Sequence, residues 1–328
     1  MATSSTRRGF LKKSVAAAAA ASVVTSLEEY TLLAQEAEPA AAPAPAAPKG
    51  PFPSGTIGKV KMSRIICGGN LISGFAHSRD LIYVSELLKA YFTEEKIMQT
   101  WALCEEHGID TMIGIPGDKK ATDAYRKYRT RGGKIQCIGQ LAPPKSGIAR
   151  AAKEAADAGM VGAVLVGNEG DAWTREDAVD KIEEFVTAVK AQGLIAGVGG
   201  HELRTPLVVD AAGIKPDFYM KTLHSTNYWS TRRPDQHKEV IDNGGADNYW
   251  CADPEATIKA MQEMSRPWMA YKVLAAGAIH PREGFKHAFE NGADFCVVGM
   301  FDFQVAEDAA VARTVLAAKQ KRKRPWRA

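Results

Sequence analysis

From about residue 57 onward the chain alternates between two textures. Short apolar, often β-branched runs recur eight times, at Arg64–Cys67, Thr111–Ile115, Ile135–Gln140, Gly162–Val166, Leu194–Val198, Phe218–Leu223, Met269–Leu274 and Phe295–Val298. Most lack a two-residue alternation, which is the pattern of strands covered on both faces. Between them lie Gly-rich or polar turns and stretches with helix-end signals. Thr93 stands before Glu94 and Glu95, and Ile97, Trp101 and Cys104 then make a helical stripe that stops before Gly108. Thr174-Arg175-Glu176-Asp177 reads as a capping box opening a helix whose buried side is Ile182, Phe185, Val186 and Val189 and whose end is Gly193. Asp253-Pro254-Glu255 reads as a cap, a first-turn proline and a first-turn acid. Eight strand–helix units predict a single (β/α)8 barrel of the TIM type over residues 57–318 rather than an open sheet. No Gly-x-Gly-x-x-Gly follows a strand, which disfavours a dinucleotide fold of the doubly wound kind.

The chain ahead of that body has a different texture. Ser5-Thr6-Arg7-Arg8-Gly9-Phe10-Leu11-Lys12 followed by a mild alanine-rich run to Val24 is the twin-arginine export pattern, assigned to residues 1–35. The run is too short and too weakly apolar for a permanent bilayer span. An Ala/Pro-rich tether, residues 36–56, separates it from the body. The expected location is therefore periplasmic or extracytoplasmic, with the twin-arginine export machinery as a partner. That route carries proteins already folded, often around a cofactor. The formal net charge of +4 is concentrated in Arg7, Arg8, Lys12 and Lys13 and in a basic tail over residues 319–328. Without these ends the remainder is acidic, so no basic face for nucleic acid is expected. The tail reads as a solvated, frayed terminus. The five cysteines, Cys67, Cys104, Cys137, Cys251 and Cys296, form no Cys-x-x-Cys pair and read as buried free thiols.

Candidate chemistry comes from polar residues just past each strand, because barrel sites sit at the strand C-terminal face. Two insertions leave from that face, Leu71–Phe92 and Ser225–Ala252. The second carries Asn227-Tyr228-Trp229 and Asn248-Tyr249-Trp250, amphipathic aromatics suited to a lid over a sugar-like ligand. His201 and His224 follow adjacent strands, and with Glu169 they make a set of two imidazoles and a carboxylate that would hold a divalent metal. The same three residues can serve as acid–base groups. Lys272, inside Tyr271-Lys272-Val273-Leu274, is placed to act as a base, nucleophile or clamp, since burial disfavours its charged form. Lys221 occupies the matching place one strand earlier and is expected to be structural, paired to a carboxylate. Asn168, Asp171, Glu202, Tyr228, Trp229 and Asp302 complete the expected substrate contacts, and Gly277 and Gly299 offer backbone amides to a phosphate.

Three stretches resemble the aldo/keto reductases: Gly58–Gly69 at the opening, Glu105–Thr111 from the first helix into strand two, and Gly292–Met300 at the last strand. The resemblance implies a barrel with a nicotinamide, NAD(P), site. It does not carry that family's chemistry. After strand two the chain reads Gly114-Ile115-Pro116-Gly117-Asp118 without the expected Tyr, Gln140 stands where the family has Lys, and Asn168 where it has His. The acidic stretch Phe301–Asp308 is expected to repel a 2′-phosphate. The leading expectation is an exported barrel enzyme acting on a small polar, carbohydrate-like substrate by metal- or lysine-assisted proton transfer, as a lyase, isomerase or hydrolase. A nicotinamide oxidoreductase and a non-catalytic ligand-binding barrel are the alternatives.

Overall fold

The computed structural model describes residues 50–78, 81, 83–231, 240–241, 248–249, 251–319 and 321–328. The export pattern and all but the last residues of the tether lie outside the described residues, as does Trp250.

The described body opens with an antiparallel hairpin, β1 (Ser54–Ile57) and β2 (Val60–Ser63), so a strand lies inside the stretch read as tether. Gly58 makes its turn possible with φ +56°, a backbone region costly for other residues. The barrel strands follow as β3 (Ile65–Cys67), β4 (Thr111–Gly114), β5 (Gln136–Leu141), β6 (Gly162–Leu165), β7 (Ile195–Gly200) and β8 (Phe218–Thr222). A two-residue pair, β9 (Val240–Ile241) with β10 (Asn248–Tyr249), lies within the second insertion. Then come β11 (Trp268–Tyr271) and β12 (Phe295–Val298), and β12 closes on β3 with Val298 opposite Cys67. The result is a closed barrel of eight parallel strands, a (β/α)8 TIM barrel as the recurring apolar runs predict.

Alternate strand residues go to two different cores. Met269 and Tyr271 face the lumen with Ile66, Ile113, Ile138, Val164, Phe218 and Met220, while Trp268 and Ala270 face the helices. Both destinations are apolar, which is why the runs show no alternation in sequence. The hairpin contributes Ile57, Val60 and Met62 to the lumen core. It therefore fills the N-terminal end of the barrel from inside and leaves the C-terminal end as the open one.

The helices are α1 (Val84–Tyr91), α2 (Glu94–Glu106), α3 (Lys119–Thr130), α4 (Ile148–Asp157), α5 (Gly167–Arg175), α6 (Val179–Ala191), α7 (Arg204–Ala211), α8 (Pro254–Glu263), α9 (Pro281–Glu290) and α10 (Val305–Ala317). Thr93 caps α2 by accepting from Lys96 N, and Asp253 caps α8 by accepting from Ala256 N, as read from sequence. The capping box at Thr174 is not formed. Thr174 is buried inside α5, its hydroxyl donates to Gly170 O at 2.9 Å, and α6 starts at Val179 without a side-chain cap. Asp177, at φ +58°, breaks the chain between the two helices. All five cysteines are buried and unbridged. No helix among the described residues is long and apolar enough to cross a membrane.

The basic tail is not frayed. Arg324 is fully buried, donating to Asp294 Oδ2 at 2.6 Å and to three backbone carbonyls, those of Gly292, Met264 and Arg266. Trp326 lies between the guanidinium groups of Arg64 and Arg322, 4.0 and 3.6 Å from its ring centre. Arginine is suited to this because its planar fork satisfies several acceptors at once and stacks on aromatics. Sequence alone registers the charge of the tail and not its acceptors, which are the Asp294 carboxylate and carbonyls after α8 and α9 and before β11.

Candidate active site

A cavity of about 200 Å³ opens at the C-terminal mouth. Its walls come from the turn after β3 (Gly68, Gly69, Asn70), from Phe75 and His77 in the first insertion, from the Lys272–Gly277 turn after β11, and from Gly299 and Phe301 after β12. Gln140 and His224 add polar groups from the ends of β5 and β8.

Lys272 reaches this cavity through a break in strand geometry. Tyr271 faces the lumen, so a continued strand would turn residue 272 outward to the helices. Instead Lys272 takes φ +60°, ending β11 and keeping its side chain on the mouth. Ala275, Ala276 and Gly277 follow at φ +47°, +58° and +87°. Each non-glycine residue in this region costs about 1 kcal/mol or more, and such clusters persist where the surrounding structure has a use for them. The Lys272 ammonium lies 2.6 Å from His77 Nε2, which is also 2.5 Å from the Asn70 amide. The lysine thus donates to an imidazole in the cavity wall.

His224 lines the same cavity, but its ring is committed. Nδ1–H donates to Ser225 O at 3.0 Å, and Nε2 accepts from Cys251 N–H at 3.0 Å, which fixes a neutral tautomer. The Tyr228 ring packs edge-on against it with centroids 5.6 Å apart. His201 lies beneath the cavity wall. Its Nδ1 bonds Asp171 Oδ2 at 2.9 Å and its ring packs against Tyr271. Asp171 also accepts from the backbone amides of His201 and Glu202 and from the Thr205 hydroxyl at 2.6 Å. It is the buried staple joining α5 to the end of β7, not a substrate contact. The metal set does not assemble: both nitrogens of His224 are in use, Nδ1 of His201 is held by Asp171, and no group of three or more metal-ligating side chains converges among the described residues.

The other expected contacts fall outside the cavity walls. Asn168 is exposed and Glu169 half-buried at the start of α5. Glu202 pairs with Arg175. Trp229 is 89% exposed. Asp302 is held by Tyr91 and, at 2.9 Å, by Lys96. Lys221 is buried on the helix side of β8 and donates to the carbonyls of His201 and Thr222 at 2.6 and 3.2 Å, so its partners are carbonyls rather than a carboxylate. His77 was not among the expected residues. Its signal was available, since it is the only histidine in the first insertion, which leaves from a strand C-terminal end.

Two buried groups contribute opposite pH dependences to the stability of the fold. Burial pushes His201 down to about 4 despite Asp171, and burial with Glu307 nearby pushes Asp308 on α10 up to about 7. From pH 4 to 6.5 the unfolded chain binds the extra proton at residue 201, so that site adds stability as pH rises. From pH 3.8 to 7 the folded chain keeps the extra proton at residue 308, so that site loses stability as pH rises. Each is worth on the order of 3–4 kcal/mol over its window, and between pH 4 and 6.5 the slopes nearly cancel. Denaturant midpoints of the wild type are expected to be flat in this window as far as these two sites go. Asp308→Asn should make them rise with pH, and His201→Gln should make them fall. The same slope in both variants would refute the assignment. Asp308 also keeps its proton up to about neutral pH and Asp302 is neutralised by Lys96, so the acidic stretch after β12 is a weaker barrier to a 2′-phosphate than its sequence implies.

A comparison with known protein-family models finds no match, and neither does one with curated proteins. Solved structures do match in fold. A putative aldo-keto reductase from Pseudomonas aeruginosa aligns with a TM-score of 0.52 at 15% identity, over 80% of this chain and 94% of that one. The apo form of Gox0644 aligns with 0.52 at 10%, over 85% and 98%. α-Galactosidase I from Mortierella vinacea aligns with 0.51 at 11%, over 79% and 72%. At these identities the likeness establishes the barrel and nothing about the chemistry.

Proposed function

We propose that the chain is a barrel enzyme that moves a proton on a small polyhydroxylated substrate, with Lys272 and His77 as its acid–base pair. The observation that carries this is the 2.6 Å contact between Lys272 Nζ and His77 Nε2 inside the mouth cavity, held there by a strained turn. A proton passing from Nζ to Nε2 leaves a neutral amine facing the substrate and an imidazolium beside it. The amine then takes the proton from a carbon next to a carbonyl, and the imidazolium donates to the oxygen that gains charge. Gln140 offers amide hydrogen bonds to hydroxyls, and Asn70 holds the His77 ring. The cavity is smaller than the 300–1,000 Å³ typical of drug-sized ligands, which suits a single sugar-like unit. This is the action of an isomerase or lyase. Export by the twin-arginine route belongs to the same reading and rests on Arg7, Arg8 and the segment after them.

A nicotinamide oxidoreductase is the second reading, favoured by the fold shared with a putative aldo-keto reductase. The residues present do not fit that family's reduction. Gln140 occupies the cavity wall where a lysine is needed, and Asn168 is exposed outside the cavity walls.

Solvent exchange tests the proposal without a known substrate. Aldoses, ketoses and sugar acids incubated with the protein in D2O should include at least one that gains deuterium next to its carbonyl, read by NMR. A panel without any exchange would reject proton transfer. Saturable quenching by NADPH at micromolar concentration would then favour the second reading, and binding without turnover a ligand-binding barrel.

A further inference from the structure

Beside the mouth cavity stands a row of aromatic rings that the proton-transfer residues do not use, one of which, Phe301, lines the cavity. Phe92 is buried at the end of the first insertion, and Phe301 stacks on it with centroids 5.4 Å apart and planes at 19°. Phe303 stacks in turn on Phe301 at 5.2 Å and 14°. Phe301 lines the cavity, whereas Phe303 is 68% exposed. The row therefore runs from the core, past the cavity wall, into solvent.

Its outer ring is held in place rather than hanging free. The Asp302–Gln304 turn that carries it is fixed at several points. Asp302 accepts from Tyr91 and Lys96, the Phe301 amide donates to Gln304 Oε1 at 3.2 Å, and Gln304 also lines the cavity. Tyr91 packs edge-on against both Phe92 and Phe301. Phe303 covers one face of its ring by stacking on Phe301 and leaves the rest of the ring exposed on a fixed turn next to a cavity wall, where a ligand can stack on it. A planar, immobilised ring loses little conformational freedom when a ligand stacks on it.

We infer that Phe303 forms a second subsite, beside the mouth cavity, that stacks on the carbon–hydrogen face of a further sugar ring. The inference rests on the proposed function, since it takes the polyhydroxylated unit in the cavity as its starting point. It names the substrate class more closely, as an uncharged glycoside of at least two rings with the reacting ring innermost. The choice of occupant rests on position: Phe303 stacks on Phe301, a wall of the cavity, and so offers its ring beside the place where the polyhydroxylated unit would sit. A charged group is disfavoured there, because the nearest ion pair, Lys96 with Asp302, is already satisfied.

Ligand-observed saturation-transfer NMR on the full protein tests this with cellobiose, maltose and lactose against methyl β-D-glucopyranoside. At least one disaccharide should receive saturation on both rings and bind more tightly than the one-ring glycoside. Phe303→Ala should weaken that disaccharide roughly five- to tenfold, leave the one-ring glycoside unchanged, and leave the melting temperature unchanged. Phe303→Trp should preserve or tighten disaccharide binding. Lys272→Met should keep two-ring binding while losing deuterium exchange, which separates failure of the subsite from failure of the chemistry. Equal weakening of both ligand classes by Phe303→Ala would overturn the subsite, as would no disaccharide showing contact at its second ring.

Discussion

Lys272→Met is expected to lower deuterium exchange into the substrate by about 10²–10⁴-fold while leaving the circular dichroism spectrum and melting temperature of the wild type. That range is what a positioned general acid–base group supplies. The fold should tolerate the change because Lys272 lies past the end of β11, is only partly buried, and donates to His77, another residue of the mouth. His77→Gln should cost less, roughly 10–100-fold. A glutamine amide still meets the lysine but cannot take its proton, so the neutral amine forms only as the lysine itself deprotonates: the fall in rate at high pH should disappear and the rise should move to higher pH. The pH profile separates the roles. A purely structural His77 would lower the rate equally at every pH, and an unchanged rate in Lys272→Met would remove the lysine from the mechanism. Lys272→Arg is the sharper control. It keeps a cation of similar reach that does not give up its proton, so an electrostatic clamp would survive the change and a base would not.

The barrel was legible because its signal is redundant. Eight apolar runs, each followed by a turn and a helix, leave few other ways to bury them, and misplacing one helix start at Thr174 changes nothing about the closure. The site was legible only in part, and the reason lies in direction rather than in location. His201, His224 and Lys272 all follow strands as expected, yet whether a residue past a strand faces the mouth depends on one backbone angle. At Lys272 a left-handed turn brings the side chain to the cavity. At residue 171 the side chain turns beneath it, to staple α5 to β7. His224 sits in the cavity but is tied through both nitrogens to its own loop. No periodicity reports such choices. His77 escaped because strand-end inventories stop at the first polar residue, Asn70, while the insertion folds back seven residues later to place an imidazole against the same amide. The hairpin β1–β2 escaped for a physical reason: its strands are only four residues each, and the first begins inside the Ala/Pro-rich stretch.

Arg324→Met is expected to destabilise the folded body by roughly 3–5 kcal/mol, the usual cost of breaking a buried ion pair by removing one partner. Asp294 is fully buried, and its two oxygens also accept from Trp268 N at 2.9 Å and Arg327 N at 2.8 Å. Those bonds remain, but the charge they support loses its closest cation, and Arg322 stands farther off at 3.8 Å. The carbonyls of Met264 and Arg266 lose the Arg324 donor at the same time, while Gly292 O keeps Arg322 at 3.3 Å. The double variant Arg324→Met with Asp294→Asn should recover much of the loss, since leaving a buried carboxylate uncompensated costs more than the lost attraction between the pair. Urea midpoints of the wild type, both single variants and the double variant give the coupling directly. A loss below about 1 kcal/mol in Arg324→Met would mean that the tail is peripheral after all. The consequence reaches the mouth through the strands themselves. The tail pins the entry ends of β11 and β12, whose exit ends lead into Lys272 and Gly299. Exchange activity per folded molecule should nevertheless stay within about twofold at 25 °C. The clamp and the cavity lie at opposite ends of the same strands, and the fixed left-handed turn, not the tail, sets where the lysine points.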